Sequence, residues 1–125
     1  MSQFDDDQTL IGNQMPVPEN QPIGYLFIAA PEHRFGRYYV IRGSTIIGRS
    51  PNYPVQLNDT YISDPHARIT LEYDQQQQPL FGLYDFGSKN GTLVNGVRVD
   101  GRVILNENDE IQIGEYIFVF KTLMD

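Results

Sequence analysis

Apolar and polar positions alternate in short runs along most of this chain, and each run stops at glycine, proline, asparagine or aspartate. In residues 66–73, Ile69, Leu71 and Tyr73 alternate with Arg68, Thr70 and Glu72, the period of a strand with one buried and one wet face. The same reading predicts strands at 25–30, 37–42, 45–48, 55–57, 66–73, 80–85, 92–94, 97–99, 103–105, 110–113 and 116–122. Asn95-Gly96 predicts a tight hairpin, because two successive positive φ angles suit Asn and Gly best, and Gly114-Glu115 predicts a second. The polar run from Gln75 to Gln78, closed by Pro79, reads as an exposed hairpin tip. No long stretch carries a helical stripe. About eleven short strands, punctuated every 8 to 12 residues or so, predict an all-β fold: an antiparallel sandwich or barrel.

Residues 1–22 break this pattern. They hold few apolar residues, close-set prolines at Pro16, Pro18 and Pro22, and no strand or helix period, so they are expected to form a disordered acidic arm ahead of one folded domain at 23–125. Of the net charge of -7, Asp5, Asp6, Asp7 and Glu19 place -4 in the arm and leave -3 for the domain. Such a balance argues against nucleic acid as a partner, since a sequence-independent grip on its phosphates needs clustered lysine and arginine. With no cysteine and two scattered histidines, neither a disulfide framework, a metal site nor a cofactor is expected. No apolar run approaches the roughly 20 residues of a bilayer crossing, and an acidic start is unlike a signal peptide. No membrane insertion and a cytoplasmic location are the expectations.

The chemistry sits in the connections. Gly48-Arg49, Ser63-Asp64-Pro65-His66, Ser88-Lys89-Asn90-Gly91-Thr92 and Asn95-Gly96 follow one another between strands. Arg49 stands where the chain leaves a strand, and a planar guanidinium can give a phosphate two parallel hydrogen bonds. Ser63 offers a hydroxyl, unless it merely closes its own turn. Lys89, one of two lysines, lies in a loop of Gly and Asn whose backbone N–H groups suit an anion. Asn90 either makes the turn with Gly91 or contacts a ligand. No nucleophile, base and orienting acid can be assembled around His66 or His33, so an enzyme is not expected.

Taken together and in order, these four groups resemble the forkhead-associated domains, phosphothreonine-binding β-sandwiches of about eleven strands. The likeness covers roughly residues 25–123. It implies a phosphothreonine-peptide recognition module working downstream of a Ser/Thr kinase, with Arg49, Ser63 and Lys89 on the phosphate and Asn90 on the peptide main chain. By the same resemblance His66 holds the binding loop as a buried, neutral group, while Gly48, Gly91, Thr92, Asn95 and Gly96 serve as scaffold. One residue departs from the family habit: Asp64 occupies a place where a basic or amide side chain is common. A carboxylate about 6 Å from a phosphate charge costs roughly 2–3 kcal/mol at an effective dielectric near 20. Either Asp64 turns away into a loop stiffened by Pro65, or it recruits a basic residue on the peptide; if neither holds, the domain is a phosphate-independent scaffold of the same fold. Thr9, in its acidic setting, is a candidate regulatory phosphosite that could fold back into the pocket.

Overall fold

The computed structural model describes residues 21–123. Thr9 and all of the arm except Gln21 and Pro22 lie outside the described residues. The order is β1 (Ile23–Ala30), a short 3-10 turn (Glu32–Arg34), β2 (Tyr38–Ile41), β3 (Ser44–Gly48), β4 (Val55–Gln56), β5 (Ala67–Tyr73), β6 (Pro79–Asp85), β7 (Thr92–Val94), β8 (Val97–Arg98), β9 (Arg102–Leu105), β10 (Glu110–Ile113) and β11 (Tyr116–Leu123). One sheet has the order β2-β1-β11-β10-β7-β8, and the other β4-β3-β5-β6-β9.

Alternation along the strands builds the core between the sheets. Leu26, Ile28, Ile111, Ile113, Phe118 and Phe120 come from the first sheet and meet Ile47, Ala67, Ile69, Phe81 and Leu83 of the second, all essentially without solvent contact. Phe81 and Phe120 pack edge to face across the layers, their ring centroids 5.4 Å apart. The Asn95-Gly96 turn has φ of 52° and 82° and closes on the Val94–Val97 pair, as the two-residue hairpin requires.

The expected all-β sandwich of eleven strands is what the chain forms, with two refinements. The sheets are not wholly antiparallel, because β3 and β4 run parallel through Ile47–Val55 and Gly48–Gln56. The loop between them carries the chain back before β4 begins, and a pair this short depends on that loop more than on any strand pattern. The first strand also opens at Ile23, earlier than the alternation indicates, because Ile23 and Gly24 find partners in Leu123 and Thr122 of β11.

Register fixes which loops share an end. Ile113 pairs with Thr92 and with Tyr116, while Ala67 pairs with both Ile47 and Asp85. The connections after β3, before β5, between β6 and β7 and between β10 and β11 therefore gather at one pole. Ile23 and Leu123, paired to each other, lie at the opposite pole.

Candidate functional site

At the loop pole three connections are laced by hydrogen bonds. Arg49 follows β3, and its Nε donates to the Ile62 carbonyl at 2.8 Å, which lays the guanidinium along the 58–66 loop while the residue stays exposed. Next along that loop, Ser63 Oγ accepts the Lys89 backbone N–H at 3.0 Å. Asn90 Nδ2 donates to the Tyr61 carbonyl at 2.9 Å. Arg49, Ser63, Lys89 and Asn90 thus stand on one continuous rim. Among the described residues, neither the Arg49 guanidinium nor the Lys89 ammonium has a carboxylate within salt-bridge distance.

His66 sits beneath the rim with no solvent contact. Its Nδ1 accepts the Ser63 N–H at 3.0 Å, so the ring proton must be on Nε2, which then donates to the Gly91 carbonyl at 3.0 Å. Burial pushes its pKa below the usual value of 6.5, outweighing the opposite pull of the Gly91 carbonyl and the Asp85 charge. The ring is neutral and ties two loops together.

Asp85, which sequence reasoning passed over, organises the 88–92 loop. Its carboxylate takes the Ser88 N–H at 2.8 Å, the Ser88 hydroxyl at 2.7 Å and the Thr92 hydroxyl at 2.8 Å. Ser88 Oγ in turn accepts the Gly91 N–H at 3.0 Å. Burial pushes the Asp85 carboxyl up, but the bonds from Ser88 and Thr92 hold it below the usual range. Asp-x-x-Ser at 85 and 88 is a signal that could have exposed this turn. Gly91 has φ of 86°, a conformation that L side chains rarely adopt, and a Cβ there would lie 3.0 Å from Arg98 Cζ. Arg98 is a further residue the sequence did not point to.

Asp64 turns toward the 48–53 loop. Its Oδ1 accepts the Ser50 N–H at 3.2 Å and would lie 2.9 Å from a Cβ on Gly48, whose other neighbour is the Tyr53 ring at 2.8 Å. Partial burial and the Asp64 charge raise the Tyr53 phenol above its ordinary pKa. Gly48 is therefore the residue that admits both side chains. Asn95 and Gly96 lie away from the rim: Asn95 bonds Asp109 at 2.8 Å and accepts the Glu110 N–H at 2.9 Å toward the other pole. His33 is exposed in the 3-10 turn. Among the described residues no group of His, Cys, Asp and Glu could hold a metal ion, and no helix is long and apolar enough to cross a membrane.

A family model for the FHA domain matches residues 45–114, which carry all the rim residues just described. The chain belongs to the FHA domain family. Among curated relatives, this FHA domain is 38% identical over 86 residues to the glycogen accumulation regulator GarA of Mycobacterium tuberculosis, covering 69% of this chain and 49% of GarA. The chain spans about half the length of the curated relatives it matches first. Among solved structures it resembles one from a study of phosphothreonine-dependent FHA domain interactions, with a TM-score of 0.65, 32% identity, and 79% and 95% of the two chains covered. It also resembles Mycobacterium tuberculosis EmbR in complex with a low-affinity phosphopeptide, with a TM-score of 0.67, 30% identity, and 79% and 24% covered.

Proposed function

We propose that this FHA domain binds phosphothreonine peptides and so links a Ser/Thr kinase to a partner protein, without catalysis of its own. The observation that carries the reading is the single rim on which Arg49, Ser63 and Lys89 stand, laced through the Ile62 carbonyl and the Lys89 N–H. Ser63 Oγ accepts that N–H, which leaves its own O–H free to donate to a phosphate oxygen. A phosphothreonine brings close to two negative charges and strong acceptors. Hydrogen bonds to charged groups contribute roughly 1.5–3 kcal/mol each, so four give on the order of 6–12 kcal/mol before ordering costs, and about 8 corresponds to micromolar affinity. Asn90, poised beside the phosphate contacts, holds the peptide main chain. The turn of Asp64 toward Ser50 supports a pocket not filled by that carboxylate.

Calorimetric titration of a phosphothreonine peptide library tests this. Arg49→Ala should weaken binding about thirtyfold, roughly 2 kcal/mol, and equal binding by unphosphorylated peptides would refute the proposal. A second reading, phosphate-independent docking through a sheet face, has one observation in its favour. Tyr25, Phe27 and Tyr38 cluster on the outer face of the first sheet, with ring centroids 5.3–6.1 Å apart, and Tyr38 is well exposed. A pull-down indifferent to phosphatase would favour it.

Phosphorylated Thr9 is proposed as an intramolecular competitor for the same pocket. β1 has 8 residues and spans about 27 Å from Ile23 to the loop pole. The 14 residues back from Ile23 to Thr9 reach on the order of 45 Å when extended, which suffices. Kinase treatment should then block peptide binding in the wild type and not in Thr9→Ala.

A further inference from the structure

Beside Asn90 the rim opens into a groove of about 290 Å³, lined by Tyr61, Asn90, Gly91, Leu93, Gln112, Gly114 and Glu115. Its floor is sheet: Leu93 and Gln112 are partners across β7 and β10. One buried carboxylate ties its walls, since Asp59 Oδ1 takes the Tyr61 N–H at 2.8 Å and Oδ2 takes the Glu115 N–H at 2.9 Å. Gly114 completes that joint, because a Cβ there would stand 2.5 Å from Asp59 Oδ2. The groove is therefore held open by hydrogen bonds made before any ligand arrives.

Its chemistry has a sign. The lining contains one acid, Glu115, and no lysine or arginine. Among the described residues Glu115 has no basic partner within salt-bridge distance. Tyr61 is 63% exposed, so an aromatic face is open to a ligand, and Leu93 adds aliphatic surface. The guanidinium of Arg98 covers Gly91 from β8, on the far side of β7 from the β10–β11 turn that carries Glu115. The groove thus runs from a positive end near Gly91 to a negative end at Glu115.

Resting on the phosphothreonine reading of the rim, we infer that the groove selects peptides carrying a lysine or arginine a few residues from the phosphothreonine. The main chain crosses Asn90, the stem of the basic side chain lies along Leu93 and the Tyr61 ring, and its charge ends at Glu115. An acidic residue would face Glu115 directly. An apolar residue would cover that carboxylate without pairing it. An exposed ion pair together with one cation–π contact gives a preference of about threefold to tenfold.

The test walks lysine, glutamate or alanine through each position flanking the phosphothreonine of an otherwise constant peptide, with binding to the whole chain measured by calorimetry. Wild type should show one position where lysine exceeds glutamate by about threefold to tenfold. Glu115→Gln should flatten that difference, Glu115→Lys should reverse it, and Tyr61→Ala should reduce it. A walk with no lysine-preferring position, or the same preference surviving in Glu115→Lys, overturns the inference. Unphosphorylated twins of each peptide separate the failures. If wild type demands the phosphate and the walk is flat, the groove assignment alone falls; if phosphate makes no difference, the reading of the rim falls and this one with it.

Discussion

With the Ser63 N–H on Nδ1 and the Gly91 carbonyl on Nε2, the ring of His66 has no hydrogen-bonding capacity left for a ligand. His66→Ala would leave the buried Gly91 carbonyl and the partly buried Ser63 N–H unpaired beside a cavity. The expected cost is about 2–4 kcal/mol by urea denaturation, with weakened peptide binding because both loops lose their tie. Gly48→Ala presses a methyl against Tyr53 and Asp64, and should cost about 1–3 kcal/mol in the same measurement. Only a loop that opened freely at Tyr53 would leave it neutral. At this scale, the residue types proposed for the rim were legible because Arg, Ser, Lys and Asn carry their chemistry in the side chain. What joins them was not. The Ile62 and Tyr61 carbonyls and the Lys89 N–H belong to no residue type. The Asp85 carboxylate serves its own turn, which Asp-x-x-Ser could have flagged, whereas Asp59 also serves the Glu115 N–H, remote in sequence and marked by no local pattern.

Strands were easier to read than their partners. Period-two alternation marks β5 and β11 locally, and the Asn95-Gly96 and Gly114-Glu115 turns mark hairpins by the φ values they tolerate. Both hairpins close as expected, on Val94–Val97 and Ile113–Tyr116. Parallel β3–β4 pairing and the first residues of β1 depend on contacts far along the chain, so no local pattern could reveal them. The β7–β8 hairpin has a second anchor at Asn95, whose side chain bonds Asp109 and Glu110. Asn95→Ala should therefore cost about 1–3 kcal/mol in chemical denaturation. Asn95→Gly, keeping the positive φ and losing only the side-chain bonds, should cost less. Equal losses in the two variants would mean that backbone conformation contributes nothing there.

For the whole molecule, the buried polar groups set how stability responds to acid. His66 has a folded pKa below its usual 6.5, so the unfolded chain binds a proton more readily. Its contribution is complete above about pH 6.5 and is lost as pH falls toward the folded value. Asp85 also has a folded pKa below its usual 3.8, so a second loss begins below about pH 4. Urea titrations at a series of pH values should show a first downward step below about pH 6.5, which His66→Gln should remove, and a further loss below about pH 4.5 to which Glu72, also held below its usual 4.5, adds its share. A flat profile between pH 7 and 5 would contradict the buried neutral ring. The pairing of Ile23 with Leu123 has a separate result for how the domain can be mounted. A tether attached at Ile23 or at Leu123 leaves from the pole opposite the binding loops, so a domain held at both of these residues at once still offers its loop pole to a partner.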